Sequence, residues 1–238
     1  MNYEILATGS DGNCVILDGS IMVDCGVPYK TVAPHLAGLK LVLLTHLHGD
    51  HFNPATIRRL AYEKPALRFG CCEWMVHALI AARVRPAQID VFDLEKWGQY
   101  NAAKCLMLSP VKLTHNSDNC GWKIFLGRES VFYATDTGTL DGIFAPGYDL
   151  YMVEANHTRA ELEARLAEKQ AAGEYAYEWN AAQNHLSYEQ ATDWLSANMG
   201  PRSLWVPMHG HKERGEASCQ ESAITGSNSR PISSTASA

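Results

Sequence analysis

Three histidines and an aspartate crowd into six positions after the aliphatic run LVLLT: His46, His48, Asp50 and His51, in THLHGDH. Imidazoles and a carboxylate gathered beside a buried strand carry an unmet desolvation cost unless something binds them. A divalent metal is that something, because neutral imidazole and carboxylate are favoured donors for zinc and related ions. His46 and His48, alternating on an extended turn, can point at one ion. The adjacent Asp50 and His51 then point at a neighbouring one.

THLHGDH resembles the signature of the metallo-β-lactamase-fold hydrolases, and the other motifs of that family follow in order: His115 in VKLTHN, Asp136 in YATDTG and His209 in VPMHGH. The resemblance covers about residues 1 to 211. It implies an α/β protein built as a four-layer αβ/βα sandwich. It also implies one metal held by His46, His48 and His115 and a second held by Asp50, His51 and His209, with Asp136 shared. Zinc is the first expectation for both ions, with manganese or iron accepted by the same donors. His211 competes with His209 for the last position, while His35, His77 and His157 read as ordinary structural or surface histidines.

Further motifs narrow the resemblance. TGSDGNC (8 to 14) is similar to an element of YycJ/WalJ-type exonucleases, although its glycines and asparagine also read as a hairpin. VEANH (153 to 157) and QNHLS (183 to 187) resemble the elements by which tRNase Z-like nucleases set a further histidine beside the metals. The resemblance therefore implies that His185 donates a proton and Glu154 orients it, with Asp50 the third residue expected to carry catalysis. Two close divalent ions can bring the pKa of a bound water near neutrality and stabilise charge on a phosphoryl or acyl oxygen. They do not protonate a departing alkoxide, which is the task left to His185. The expected activity is thus phosphodiester hydrolysis in DNA or RNA. A β-lactam or thioester hydrolase is the alternative, and a non-catalytic metal-holding module is a third reading. Phe52-Asn53 in place of the glycine pair common in thioesterase-like relatives, and the absence of a cysteine in place of Asp136, weigh against acyl chemistry.

These residues need a frame. YEILA (3 to 7), CVILD (14 to 18) and IMVD (21 to 24), separated by Gly/Asp/Asn/Ser clusters, predict a meander of antiparallel strands. LVLLT predicts a strand buried on both faces. Asn53 as cap and Pro54 at the first helical position predict a helix ending near Pro65, and Glu73 to Arg83 predicts another. Strands are expected again in KCLMLSPVKLTH, CGWKIFLG, SVFYATD and DLYMVEA, and finally in SLWVPMH. Thr158 with Glu161 and Ser187 with Gln190 have capping-box spacing, with Gly173 and Gly200 where those helices would end. Strands then helices, twice over, suit two similar halves packed sheet on sheet with helices outside.

With 238 residues and 46% hydrophobic composition, one large domain spanning 1 to 211 is expected, followed by a serine-rich, aperiodic tail (212 to 238) that reads as disordered. The net charge of -6 argues against nucleic-acid binding through overall basicity. Between Arg58 and Arg85, however, six Lys/Arg face two Glu, enough to guide a phosphate backbone or simply to solvate a helix. Seven cysteines without a CxxC pair suit free thiols. No basic leader with an apolar run opens the chain and no stretch is long enough to span a membrane, so a cytoplasmic location is expected. A homodimer completing a substrate groove is a further expectation.

Overall fold

The structure, a computed structural model, describes residues 1–100, 105–173 and 183–210. His211 and the segment 212–238 lie outside the described residues. The three N-terminal runs form β1 (Tyr3–Ala7), β2 (Cys14–Leu17) and β3 (Ile21–Val23), paired antiparallel as their turn-rich spacing predicts. β4 (Leu41–Leu43), β5 (Arg68–Cys71) and β6 (Ile89–Val91) then add in parallel, completing a six-stranded sheet in chain order. The second sheet repeats the plan. β7 (Gly98–Tyr100), β8 (Leu106–Leu113), β9 (Asn119–Leu126) and β10 (Glu129–Ala134) pair antiparallel, and β11 (Leu150–Glu154) and β12 (Leu204–Met208) add in parallel.

Side-chain alternation along the strands sets the layers. Ile21 and Val23 face inward, with Leu43, Trp122, Tyr133 and Met152, into a core between the two sheets. Met22 faces the other way, with Val42 and Phe69, onto Ile57 and Leu60 of α2 (Pro54–Glu63) and Leu79 of α3 (Val76–Ala81). Phe132, Tyr151 and Val153 leave the second sheet outward to meet Leu186, Ala191 and Leu195, the last two on α5 (Tyr188–Asn198). α1 (Tyr29–Val32) is a single turn on the first sheet, whereas α4 (Arg159–Ala172) buries none of its residues. Helix, sheet, sheet, helix is the four-layer αβ/βα sandwich.

Asn53 caps α2 by accepting from Thr56 N at 3.1 Å, with Pro54 at its first position. Both capping boxes form, at Thr158/Glu161 and Ser187/Gln190. Gly173 ends α4 in the left-handed conformation, while α5 stops at Asn198, ahead of Gly200. Two expectations need correction. Strands β5, β6 and β7 were not anticipated, because RFGC, IDV and GQY are too short to show a period of two. Glu73 to Arg83 is not one helix but a 3₁₀ turn (Glu73–Met75) running into α3, which agrees with the mixed spacing of its apolar residues.

The two capped helices should respond differently to loss of their caps. Ser187→Ala, on a helix that buries Ala191 and Leu195, should lower global stability by about 1 kcal/mol in urea unfolding. Thr158→Ala should leave that midpoint in place and instead speed hydrogen exchange within α4 alone, because nothing on that helix is buried.

Candidate metal centre

Most of the residues that could do chemistry sit at or just beyond the C-terminal end of a strand, with His48, Asp50 and His51 in the loop between β4 and α2 and His185 just ahead of α5. Asp24 follows β3, Thr45 and His46 follow β4, His115 follows β8, Asp136 follows β10, Glu154 ends β11 and His209 follows β12. β3 and β4 run parallel, as do β10, β11 and β12, so within each sheet these ends open on one edge. The structure brings all seven expected donors into two groups, His46/His48/His115 and Asp50/His51/Asp136/His209, with the donor atoms of each within 4.8 Å of one another. Asp136, Glu154, His185 and His209 form a third group that overlaps the second.

The histidines are oriented from behind. His51 Nδ1 donates to Asp24 Oδ2 at 2.7 Å, and His46 Nδ1 lies 3.0 Å from Thr45 Oγ1, whose own proton goes to Asp24 at 2.9 Å. His115 Nδ1 donates to the Asn184 carbonyl at 3.2 Å, and His209 Nδ1 lies 3.4 Å from Glu154 Oε1. The opposite nitrogen, Nε2, of all four rings is therefore left for the shared space. His48 presents Nδ1 instead, 3.2 Å from His115 Nε2. Such outer partners fix tautomer and ring angle and raise the basicity of a ligating imidazole.

These donors fit a divalent cation. His46 Nε2 is buried and has no hydrogen-bond partner among the described residues. Burial, with the nearby His51 charge, drives the His46 pKa down to about 2, so its ring is neutral and its lone pair free. Four carboxylates, Asp24, Asp50, Asp136 and Glu154, converge here, three of them buried. With neutral imidazoles that concentration of negative charge needs cations. Where no cation is bound, protons take their place. Burial works to lower the His51 and His209 pKa values, but Asp24 and Asp136 outweigh it for His51, and hydrogen bonds to Asp50 and Glu154 lift His209 to about 10.

Loops hold the strand ends together. Gly26 packs so closely on the chain that an added Cβ would lie 1.7 Å from the Asp50 carbonyl oxygen. Gly138, of YATDTG, does the same for the segment bearing His185, where a Cβ would lie 2.0 Å from the Gln183 carbonyl. The TGSDGNC loop is the β1–β2 hairpin and more: Asn13 Nδ2 reaches 2.8 Å from His51 Nε2, and Thr8 Oγ1 accepts from His209 N at 2.7 Å. His185 Nδ1 lies 2.5 Å from Glu154 Oε1, and Thr137 N donates to the other oxygen at 3.1 Å. Sequence reading missed Asp24 and Thr45. The signal was there in an acid closing the apolar run IMVD, at a position that folds to 0% exposure.

Two outcomes are expected of this arrangement. Asp24→Asn should reduce zinc or manganese affinity about 10- to 100-fold, read by competition with a chelating dye. In chelator-treated protein, folded pKa values raised above the ordinary 6.5 mean that the native state holds protons which the unfolded chain releases. The stability they add is complete below about pH 6.5 and is lost as pH rises toward 10. Melting temperature of the stripped protein should fall across that window, and metal-loaded protein should not show the fall.

A family model described as the Beta-lactamase superfamily domain matches residues 20–209. A UPF0173 metal-dependent hydrolase of Metallosphaera sedula is 24% identical over 170 residues, which cover 69% of this chain and 73% of that protein. Among solved structures, the short form of human tRNase Z superposes with a TM-score of 0.64 at 15% identity, covering 89% of this chain and 93% of its own. A diphosphatase from the PhnP family superposes with a TM-score of 0.59 at 13% identity, covering 88% and 87%. At such identities the structural likenesses bear on the fold alone. The family match spans most of the chain and takes in every histidine and carboxylate of the cluster, so the chain belongs to the beta-lactamase superfamily.

Proposed function

We propose that the protein is a metal-dependent phosphodiesterase that cleaves nucleic acid, with one divalent cation held by His46, His48 and His115, a second by Asp50, His51 and His209, and Asp136 between them. Two divalent charges would offset the four carboxylates of the cluster. When bound, such cations supply Lewis acidity toward a phosphoryl oxygen and lower the pKa of water. The observation that carries the phosphodiester reading is the pair formed by His185 and Glu154. Glu154 is fully buried, accepts from His185 Nδ1, and is itself held by Thr137 N. His185 stacks on His209 with ring centroids 5.1 Å apart, at the margin of the cluster, and keeps 19% of its side chain exposed.

Burial works to lower the His185 pKa, but the hydrogen bond and charge of Glu154 raise it above its ordinary value, which favours the doubly protonated ring. One proton goes from Nδ1 to Glu154 and the other, on Nε2, is available to a departing oxygen. An alkoxide expelled from a phosphodiester needs such a donor far more than a stabilised leaving group does. Asp50, with 21% of its side chain exposed, is the most open carboxylate of the cluster and can hold a water by accepting its hydrogen.

The test is cleavage of 5′-labelled single- and double-stranded DNA and RNA with zinc or manganese, beside turnover of bis(4-nitrophenyl) phosphate and a chromogenic β-lactam. Asp50→Ala should abolish cutting. His185→Ala should slow oligonucleotide cleavage by about 10²- to 10⁴-fold while sparing the nitrophenyl ester, whose leaving group needs no proton. Turnover of the β-lactam with every oligonucleotide intact would sink the proposal.

A further inference from the structure

A cavity of about 990 Å³ opens beside α2, and none of the residues that line it belongs to the metal-ligating cluster. Its wall carries Arg58, Arg59, Arg83 and Arg85 together with Tyr29 and Tyr62. Among the described residues, only one of these guanidinium charges is answered by an acid. Arg59 pairs with Glu63 through Nε at 2.7 Å and lies 3.8 Å over the Tyr29 ring. Arg85 is aimed by neutral acceptors, Gln88 Oε1 and the Pro65 carbonyl, each at 2.9 Å, which orient its charge without cancelling it. Arg58 and Arg83 form no ion pair with any described residue. Three uncompensated cations thus surround a cavity of a size that takes organic ligands, on a protein whose net charge is -6.

Arg83 adds an independent observation. It sits just after α3 with φ of +67°, a left-handed position where glycine or asparagine is the low-cost residue. Folding alone would favour glycine there, whereas the chain places a long cation facing the cavity. Tyr62, 85% exposed, offers a bare aromatic face on the same wall. Cations spaced around an exposed aromatic ring are the combination that holds a single nucleic-acid strand, with phosphates on arginine and a base stacked on the ring. Along the chain, one end of the cavity is close to the metal centre. Asn53 lines it two residues after His51, and Pro28 and Tyr29 follow Gly26, whose backbone packs on Asp50.

We infer that this cavity is a second binding site, outside the metal centre, for a single-stranded segment of the nucleic-acid substrate. The inference rests on the phosphodiesterase reading above for the identity of its ligand. Arg58, Arg83 and Arg85 hold phosphates, Tyr62 stacks a base, and a strand bound there is anchored while another part of it enters the centre.

Fluorescence anisotropy of a short labelled single strand, measured across a salt series on metal-loaded full-length protein, tests it with Arg58→Ala, Arg83→Gly and the double variant. Arg83→Gly relieves the left-handed backbone, so its unfolding midpoint should stay or rise, and weaker binding cannot be ascribed to misfolding. The double variant should bind about tenfold more weakly, with a salt slope lower by about one for each phosphate contact removed. Its turnover of bis(4-nitrophenyl) phosphate should match the parent. Equal affinity and equal slope in parent and variants would overturn the inference while leaving the phosphodiesterase reading intact. A parent that turns over the small ester but neither binds nor cuts any oligonucleotide would overturn both this site and the choice of nucleic acid as substrate. Binding of heparin as tight as that of the oligonucleotide, and equally weakened in the variants, would overturn nucleic acid as the ligand of the cavity.

Discussion

A single carboxylate, that of Asp24, ties the two groups of donors to the fold. It is fully buried at the end of β3 and accepts from Thr45 N, Thr45 Oγ1, His51 Nδ1 and the Tyr133 hydroxyl, the last reaching it from the opposite sheet. Through Thr45 it aligns His46 and directly it aligns His51, one ring from each group. A charged carboxylate at that depth is stable only when its oxygens are fully engaged. The residues that engage it are the ones a metal needs held still.

The second sheet repeats the device. Glu154, buried at the end of β11, accepts from Thr137 N and His185 Nδ1 and lies 3.4 Å from His209 Nδ1. Each half thus contributes one inner acid that touches no open space and sets the angle of imidazoles that do. The backbone contributes as well. Asp24, Asp136 and His209 have φ of +59°, +57° and +52°, left-handed values at the ends of three strands. Each such position costs an L-residue about 1–2 kcal/mol. Strain of this kind persists only where surrounding contacts over-determine it, and here those contacts turn the chain sharply enough for side chains to converge from both sheets.

What could be read from the sequence follows from how local each feature is. THLHGDH was legible because four donors lie within a few residues and no packing role accounts for them. His115, Asp136 and His209 were legible only as motifs in order, since their convergence depends on strands up to 163 residues apart, from His46 to His209. Asp24 was not legible because a lone acid after a strand has many ordinary explanations, and only the register of β3 beside β4 brings Thr45 to it. The same holds for Gly26 and Gly138, whose function lies in a Cβ that is absent. β5, β6 and β7 escaped detection for the opposite reason: they exist through pairing with neighbours and carry almost no periodicity of their own.

Net charge is the bulk property that misleads most. A value of -6 suggests a surface that repels phosphate, yet four of the carboxylates contributing to it are turned inward at the cluster. Two divalent cations there would neutralise them and leave the remaining surface less negative than the sequence sum. The arginines around the α2 cavity would then face a rim that no longer opposes them. On the proposed reading, cation and polyanionic substrate are thermodynamically linked: whatever factor the cations add to substrate affinity, the substrate must return to cation affinity. The stripped protein is then unready for substrate in two ways, lacking the Lewis acid and presenting a charge of the wrong sign at the point of entry.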